Sequence, residues 1–162
     1  MDKKELEIKA SKNNVPTLTQ FGTNITEKYR KSKDFAPILA RELETREVLG
    51  IITQRYKNNA ILVGEAGTGK TAIVEGLAQL LAIDSVPDSI KGFDIPALSN
   101  KDTSDGGYHF RIKKIVEEVR KAGNIILFVD ETHVILDKEG ELDAGDLIKP
   151  ALARGELRMI GS

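Results

Sequence analysis

The sequence predicts an α/β protein built on a mainly parallel β-sheet with helices on both faces, and three observations lead there. An apolar run, Ala60-Ile61-Leu62-Val63, enters the glycine-rich stretch Gly64-Glu65-Ala66-Gly67-Thr68-Gly69-Lys70-Thr71, and a helix-like segment, Ala72-Ile73-Val74-Glu75-Gly76-Leu77-Ala78, leaves it. Strand, loop and helix in that order are the unit from which parallel sheets are assembled. A second run, Ile125-Ile126-Leu127-Phe128-Val129, is apolar at every position, as expected of a strand covered on both faces. Strand-like and helix-like segments also alternate along the chain, and sheets of this class take ligands at the carboxyl ends of their strands.

Taken in order, residues 1–17 read as a flexible arm, since Met1 to Asn14 is polar and Lys-rich, and the folded domain is expected over 18–162. Asn24 to Tyr29 can open a short helix, and Asp34 to Arg41 follows as a loop. From Glu42 to Tyr56, Leu43, Val48, Leu49, Ile51, Ile52 and Tyr56 recur at near-helical spacing, which predicts an amphipathic helix leading to the turn Lys57-Asn58-Asn59. The helix after the glycine-rich loop runs to about Ala82. Phe93 to Leu98 reads as a short strand weakened by Pro96, and Ser99 to Gly107 as a polar loop. Arg111 to Lys121 is helical, with Ile112, Ile115, Val116 and Val119 on one face, until Gly123-Asn124 stops it. After the apolar strand and the loop Asp137-Lys138-Glu139-Gly140 comes a helix from about Asp143 to Arg154, interrupted by Pro150. The last strand is Leu157-Arg158-Met159-Ile160.

The glycine-rich stretch matches G-x-x-x-x-G-K-[ST] in the context that pattern requires. A phosphate chain has to be wrapped closely by backbone N–H groups. Gly64, Gly67 and Gly69 permit this, having no Cβ to block the approach or forbid positive φ. The helix that starts near Lys70 aims its free N–H groups and positive dipole end at the same phosphates. Lys70 brings a compact charge to the β- and γ-phosphates, and the Thr71 hydroxyl is placed to ligate Mg²⁺. The expected nucleotide-binding set is Glu65, Ala66, Gly67, Thr68, Gly69, Lys70, Thr71 and Ala72. The partner half of the site is Asp130-Glu131, sixty positions after Lys70 at the tip of the apolar strand. Asp130 can hold Mg²⁺ through its water shell, and Glu131 can accept a proton from a water attacking the γ-phosphate. The catalytic pair is therefore Glu131 and Lys70, and an acid pair favours water over a small-molecule acceptor.

Composition narrows the alternatives. The 162 residues hold 24 Lys plus Arg against 25 Asp plus Glu, a net charge of −1, so there is no global electrostatic footprint for nucleic acid. Absence of cysteine removes disulfides, thiol catalysis and thiolate zinc sites. His109 and His133 have no His or Cys at ligand spacing. With neither a signal-like N-terminus nor a run of about 18 apolar residues, a soluble, cytoplasmic protein without membrane contact is expected.

With both motifs placed, the sequence resembles the first nucleotide-binding domain of the Clp-type AAA+ unfoldases, ring ATPases that thread proteins through a central pore. The likeness runs from about Leu18 to Ser162. It is carried by Phe21 to Thr26, Lys57-Asn58-Asn59, Gly64 to Ala78, Asn124 to Glu131, and Lys149-Pro150-Ala151-Leu152-Ala153-Arg154-Gly155-Glu156-Leu157. It implies the three-layer P-loop NTPase fold of AAA+ proteins, ATP and Mg²⁺ as ligands, protein clients or other Clp-type subunits as partners, and a homo-oligomeric ring in the full-length context. It also implies that Ile38 and Leu39, in Pro37-Ile38-Leu39-Ala40-Arg41, lie over the adenine. The sequence departs from the family in four places: Ala40 and Ala66 replace the usual Gly and Pro, the pore loop around Tyr108 is shortened, and the γ-phosphate sensor, the arginines reaching a neighbouring subunit and the helical lid are absent from this sequence. Two other readings follow from those departures and from the bare loop motif: a weak nucleotide-holding or regulatory module that binds an intact Clp-type ATPase, and, disfavoured by Asp130-Glu131, a small-metabolite kinase.

Overall fold

A computed structural model describes residues 15–32, 36–37, 41–98, 108–132 and 144–162. In chain order these form α1 (Pro16–Phe21), β1 (Gly22–Asn24), α2 (Ile25–Lys31), α3 (Glu42–Ile52), β2 (Ala60–Ile61), α4 (Lys70–Ala82), a 3₁₀ turn (Asp88–Ile90), β3 (Pro96–Leu98), α5 (Tyr108–Ala122), β4 (Ile126–Val129), α6 (Ala144–Ala153) and β5 (Arg158–Gly161). The strands make one sheet in the order β1-β3-β4-β5-β2. β3, β4, β5 and β2 run parallel, and β1 pairs antiparallel with β3 at the edge.

The all-apolar strand behaves as its sequence demands. All four residues of β4 are buried and alternate between two cores. Ile126 and Phe128 meet Ile52, Val74, Leu77 and Leu81 from α3 and α4, whereas Leu127 and Val129 meet Ile115, Val116, Val119 and Ile148 from α5 and α6. Helices on both faces of a mainly parallel sheet make the three-layer α/β fold. Leu77 and Leu81 are wholly buried, and each such side chain stabilises the fold by roughly 1.5–3 kcal/mol.

Several element boundaries differ from the sequence expectation for identifiable reasons. α1 begins at Pro16, inside the segment expected to be an arm. Pro suits the first helical position, and the Glu118 carboxylate on α5 accepts the otherwise orphaned N–H groups of Thr17 and Leu18 at 3.1 and 3.0 Å. β1 was not anticipated, because three residues carry no readable alternation. α3 ends at Ile52 rather than reaching Tyr56: Val48 and Ile52 face the core, while Leu43 and Tyr56 are exposed. α6 passes through Pro150 without the expected interruption. The proline forgoes one helical bond on an exposed face, and the neighbouring Ala151 is buried. The expected loops Ser99–Gly107 and Asp137–Gly140 lie outside the described residues.

Candidate functional site

The glycine-rich loop leaves β2 at the carboxyl end of the sheet, where Leu62 N–H donates to Gly161 O at 2.8 Å and continues the parallel pairing with β5. Gly67 and Gly69 hold φ of +81° and +91°, the left-handed conformation that glycine adopts without a Cβ penalty. Gly69 caps α4 with no side-chain hydrogen bond. The first-turn N–H groups, which have no intrahelical acceptors, are thus left for a ligand at the positive end of a 13-residue helix. A Cβ on Gly67 would meet nothing within 4 Å, so the loop's outer face is open.

Within the loop, Thr68 donates its backbone N–H and its hydroxyl to Glu65 O at 3.3 and 2.8 Å, and Lys70 Nζ donates to Gly64 O at 2.8 Å. The ammonium therefore sits across the mouth of the loop, held by a neutral carbonyl that an anionic oxygen can replace at a gain, since charge-assisted bonds are the stronger. Glu65, Ala66, Gly67, Thr68 and Thr71 are exposed, and Gly69, Lys70 and Ala72 are half-buried. A cleft of about 530 Å³ lies beside the loop, lined by Arg41, Val48, Ile51, Gly64, Thr68 and Lys70. Its α3 wall is mixed, Val48 and Ile51 with Glu44 and Glu47, and Arg41 and Lys70 line it on the side of the loop. A cavity of similar volume, about 540 Å³, lies on the far edge of the sheet against β1 and α2, and none of the motif residues lines it.

Asp130 and Glu131 follow β4 directly, and both are exposed. Ser162 N–H donates to Val129 O at 3.1 Å, which aligns the carboxyl ends of β4 and β5 just as Leu62 and Gly161 align β2 with β5. The loop and the acid pair thus open at the same end of the sheet, with β5 between them. Glu131 has φ +53°, unusual for a residue with a side chain, and its N–H is accepted by Asp130 Oδ1 at 3.0 Å. Among the described residues there is no group of three His, Cys, Asp or Glu side chains that could by itself hold a divalent ion such as Mg²⁺. The donor set suits such an ion: a hydroxyl, a carboxylate and phosphate oxygens are hard ligands of the kind Mg²⁺ takes. Ile38 and Leu39 lie outside the described residues, as do His133 and the side chains of Tyr108 and His109; Tyr108 opens α5.

Three residues that the motifs did not single out join the site. Arg41 reaches the loop: Nη2 donates to Thr68 O, Nη1 to Glu44 at 3.0 Å, and the guanidinium lies over the position a Gly69 side chain would take. The Glu44 carboxyl is held below its usual range, first by its own backbone N–H and then by Arg41. Ser162 and Thr132 bind the acid pair to β5. Only the order of the strands, which the sequence does not state, reveals that these two meet.

A family model described as "ATPase family associated with various cellular activities (AAA)" matches residues 60–153, the span from β2 to the end of α6. The chain belongs to the AAA family of ATPases. It is 42% identical over 161 residues to the chloroplastic chaperone protein ClpC1 of Arabidopsis thaliana, covering 94% of this AAA chain and 17% of that protein. Against the chaperone protein ClpB of Wolinella succinogenes it is 42% identical over 166 residues, covering 98% of this chain and 19% of the relative. Among solved structures it superposes on the Hsp104–ADP complex of S. cerevisiae with a TM-score of 0.76 at 35% identity, covering 89% of this chain and 21% of that one. The chain thus spans about a fifth of the length of these Clp and Hsp104 relatives, and its α/β fold is the AAA+ fold they share. No helix among the described residues is long and apolar enough to cross a membrane.

Proposed function

We propose that this chain binds ATP with Mg²⁺ and hydrolyses it, as the nucleotide-binding core of a Clp-type machine that unfolds or remodels protein clients. The observation that carries the reading is the meeting, at one end of the sheet, of a glycine-wrapped helix N-terminus bearing Lys70 with an acid pair on the parallel strand one removed. In this reading the loop N–H groups and the start of α4 cradle the β- and γ-phosphates, and Lys70 exchanges the Gly64 carbonyl for phosphate oxygen. Thr71 and Asp130 hold Mg²⁺, which neutralises phosphate charge when bound. Glu131 takes a proton from a water whose oxygen attacks the γ-phosphorus; the bond to the bridging oxygen breaks, and ADP and phosphate leave. The cleft walled by Val48 and Ile51 is the place for the base, with Ile38 and Leu39 as further base contacts. Likeness to Clp and Hsp104 proteins supports protein clients, sister subunits and a ring as partners of the larger protein.

The test is ATP affinity and steady-state hydrolysis of the purified chain with Mg²⁺ at rising protein concentration. A rate that climbs faster than linearly is expected if neighbouring subunits complete one another's sites. Binding without turnover at any concentration marks a nucleotide-holding module, and absence of binding overturns the reading.

A further inference from the structure

The carboxyl ends of β4 and β5 are joined more closely than sheet pairing requires. Beyond the last paired residues, Ser162 N–H donates to Val129 O at 3.1 Å and Thr132 N–H returns to Ser162 O at 3.0 Å. The Thr132 hydroxyl donates to Val129 O at 3.1 Å and reaches Ser162 O at 3.4 Å, in a side chain that is 5% exposed. A Cβ on Gly161 would lie 2.4 Å from Thr132 Oγ1, so the two strand ends are in contact with no room for a methyl. Ser162 is therefore fixed on both its backbone N–H and its backbone carbonyl, and its hydroxyl donates to Asp130 Oδ1.

The same Asp130 oxygen accepts the Glu131 N–H. Two donors thus meet on one carboxylate oxygen of Asp130, one following β4 and one following β5. Glu131 meanwhile holds its left-handed φ of +53°, a conformation costing roughly 1–2 kcal/mol for a residue with a Cβ and kept only where the surroundings over-determine it. Here Asp130 and Thr132, the residues on either side, are both tied to Ser162.

We infer that Ser162 is a positioning residue for the acid pair: its hydroxyl orients the Asp130 carboxylate for a divalent cation, and through Asp130 it holds Glu131. This rests on the reading of Asp130 as the metal-side carboxylate. A hydroxyl that only closed a strand end would contribute to stability alone. One that aims a carboxylate contributes to metal affinity, where such outer-sphere partners are worth about 10- to 100-fold.

The experiment uses the 162-residue chain with Ser162→Ala, Ser162→Thr and Asp130→Ala. Affinity for a fluorescent ADP is measured in EDTA and in Mg²⁺, and Mn²⁺ binding to the ADP complex by electron paramagnetic resonance. Expected for Ser162→Ala are unchanged affinity in EDTA, an unchanged unfolding midpoint and Mn²⁺ affinity lower by about tenfold, with Ser162→Thr restoring it. If Ser162→Ala leaves Mn²⁺ affinity unchanged while Asp130→Ala lowers it, the inference is overturned and the role of Asp130 stands. If neither variant changes it, both fall together.

Discussion

Gly161→Ala is the substitution whose cost the structure prices most directly. The new methyl would lie 2.4 Å from Thr132 Oγ1 and 3.3 Å from Thr132 Cβ, against an ordinary contact of about 3.5–4.0 Å. Gly161 has no positive φ, so the penalty is steric and not torsional. Either the strand ends part, at the roughly 1–3 kcal/mol typical of overpacking, or Thr132 rotates away. Rotation gives up the hydroxyl's bond to Val129 O in a buried place, which costs about 1–3 kcal/mol for an unsatisfied group. Both routes predict a loss near 2 kcal/mol, or roughly 4–8 °C in Tm for a chain of this length. In a Thr132→Ala background the clashing oxygen is gone and the same substitution should cost under about 1 kcal/mol, leaving a coupling near 1 kcal/mol or more in a double-mutant cycle. Urea unfolding of the four proteins measures it. Equal costs in the two backgrounds would refute the close packing of β4 against β5 on which the geometry of the acid pair depends.

Other substitutions probe the site and its frame. Lys70→Ala removes the cation at the loop mouth and should weaken ATP binding by about 10- to 100-fold, the worth of a charge-assisted hydrogen bond, as read by calorimetric titration. Glu131→Gln should retain affinity and lower the hydrolysis rate by at least about 100-fold, measured by phosphate release; an unchanged rate would assign water activation to another group. Asn59→Ala strips the acceptor of Met159 N–H, 2.8 Å away, and a donor to Leu152 O, and should cost about 1–3 kcal/mol in denaturant unfolding.

What could be read from the sequence was what local periodicity encodes. The apolar β4, the amphipathic α5 and the strand–loop–helix unit around Lys70 each have a period or a glycine spacing that admits few alternatives. The features that escaped are held by partners far away in sequence. α1 is capped by Glu118, some 100 residues on. β1 exists because β3 lies beside it. α3 stops where its apolar side loses the core, although the run of aliphatic residues suggests a longer helix. The same holds in the site: Lys70, Thr71, Asp130 and Glu131 are named by motif, but Arg41, Thr132 and Ser162 enter only once strand order brings β5 between the loop and the acids.

That position gives β5 a particular burden. At its start, Asn59 accepts Met159 N–H and Asn58 donates to Gly155 O at 3.2 Å, which fixes the register of the loop strand. Arg158 runs under the Phe93 ring and donates to Ile52 O at 3.0 Å, tying β5 to the carboxyl end of α3, where a cation meets the negative end of the helix dipole. Burial lowers the pKa of this guanidinium, yet an arginine keeps its charge at neutral pH. At its end, β5 meets Leu62 through Gly161 O and Asp130 through Ser162. Among the described strands, β2 pairs with β5, and β5 in turn with β4, so this four-residue strand lies between the loop and the acids. A strand pinned by side chains at its start and by main chain at its end resists sliding, because a shift by one residue would turn Met159 and Ile160 out of their opposite cores. The separation between the glycine-rich loop and the acid pair is therefore set by the packing of β5, and substitutions at Asn59 or Gly161 disturb it from outside both.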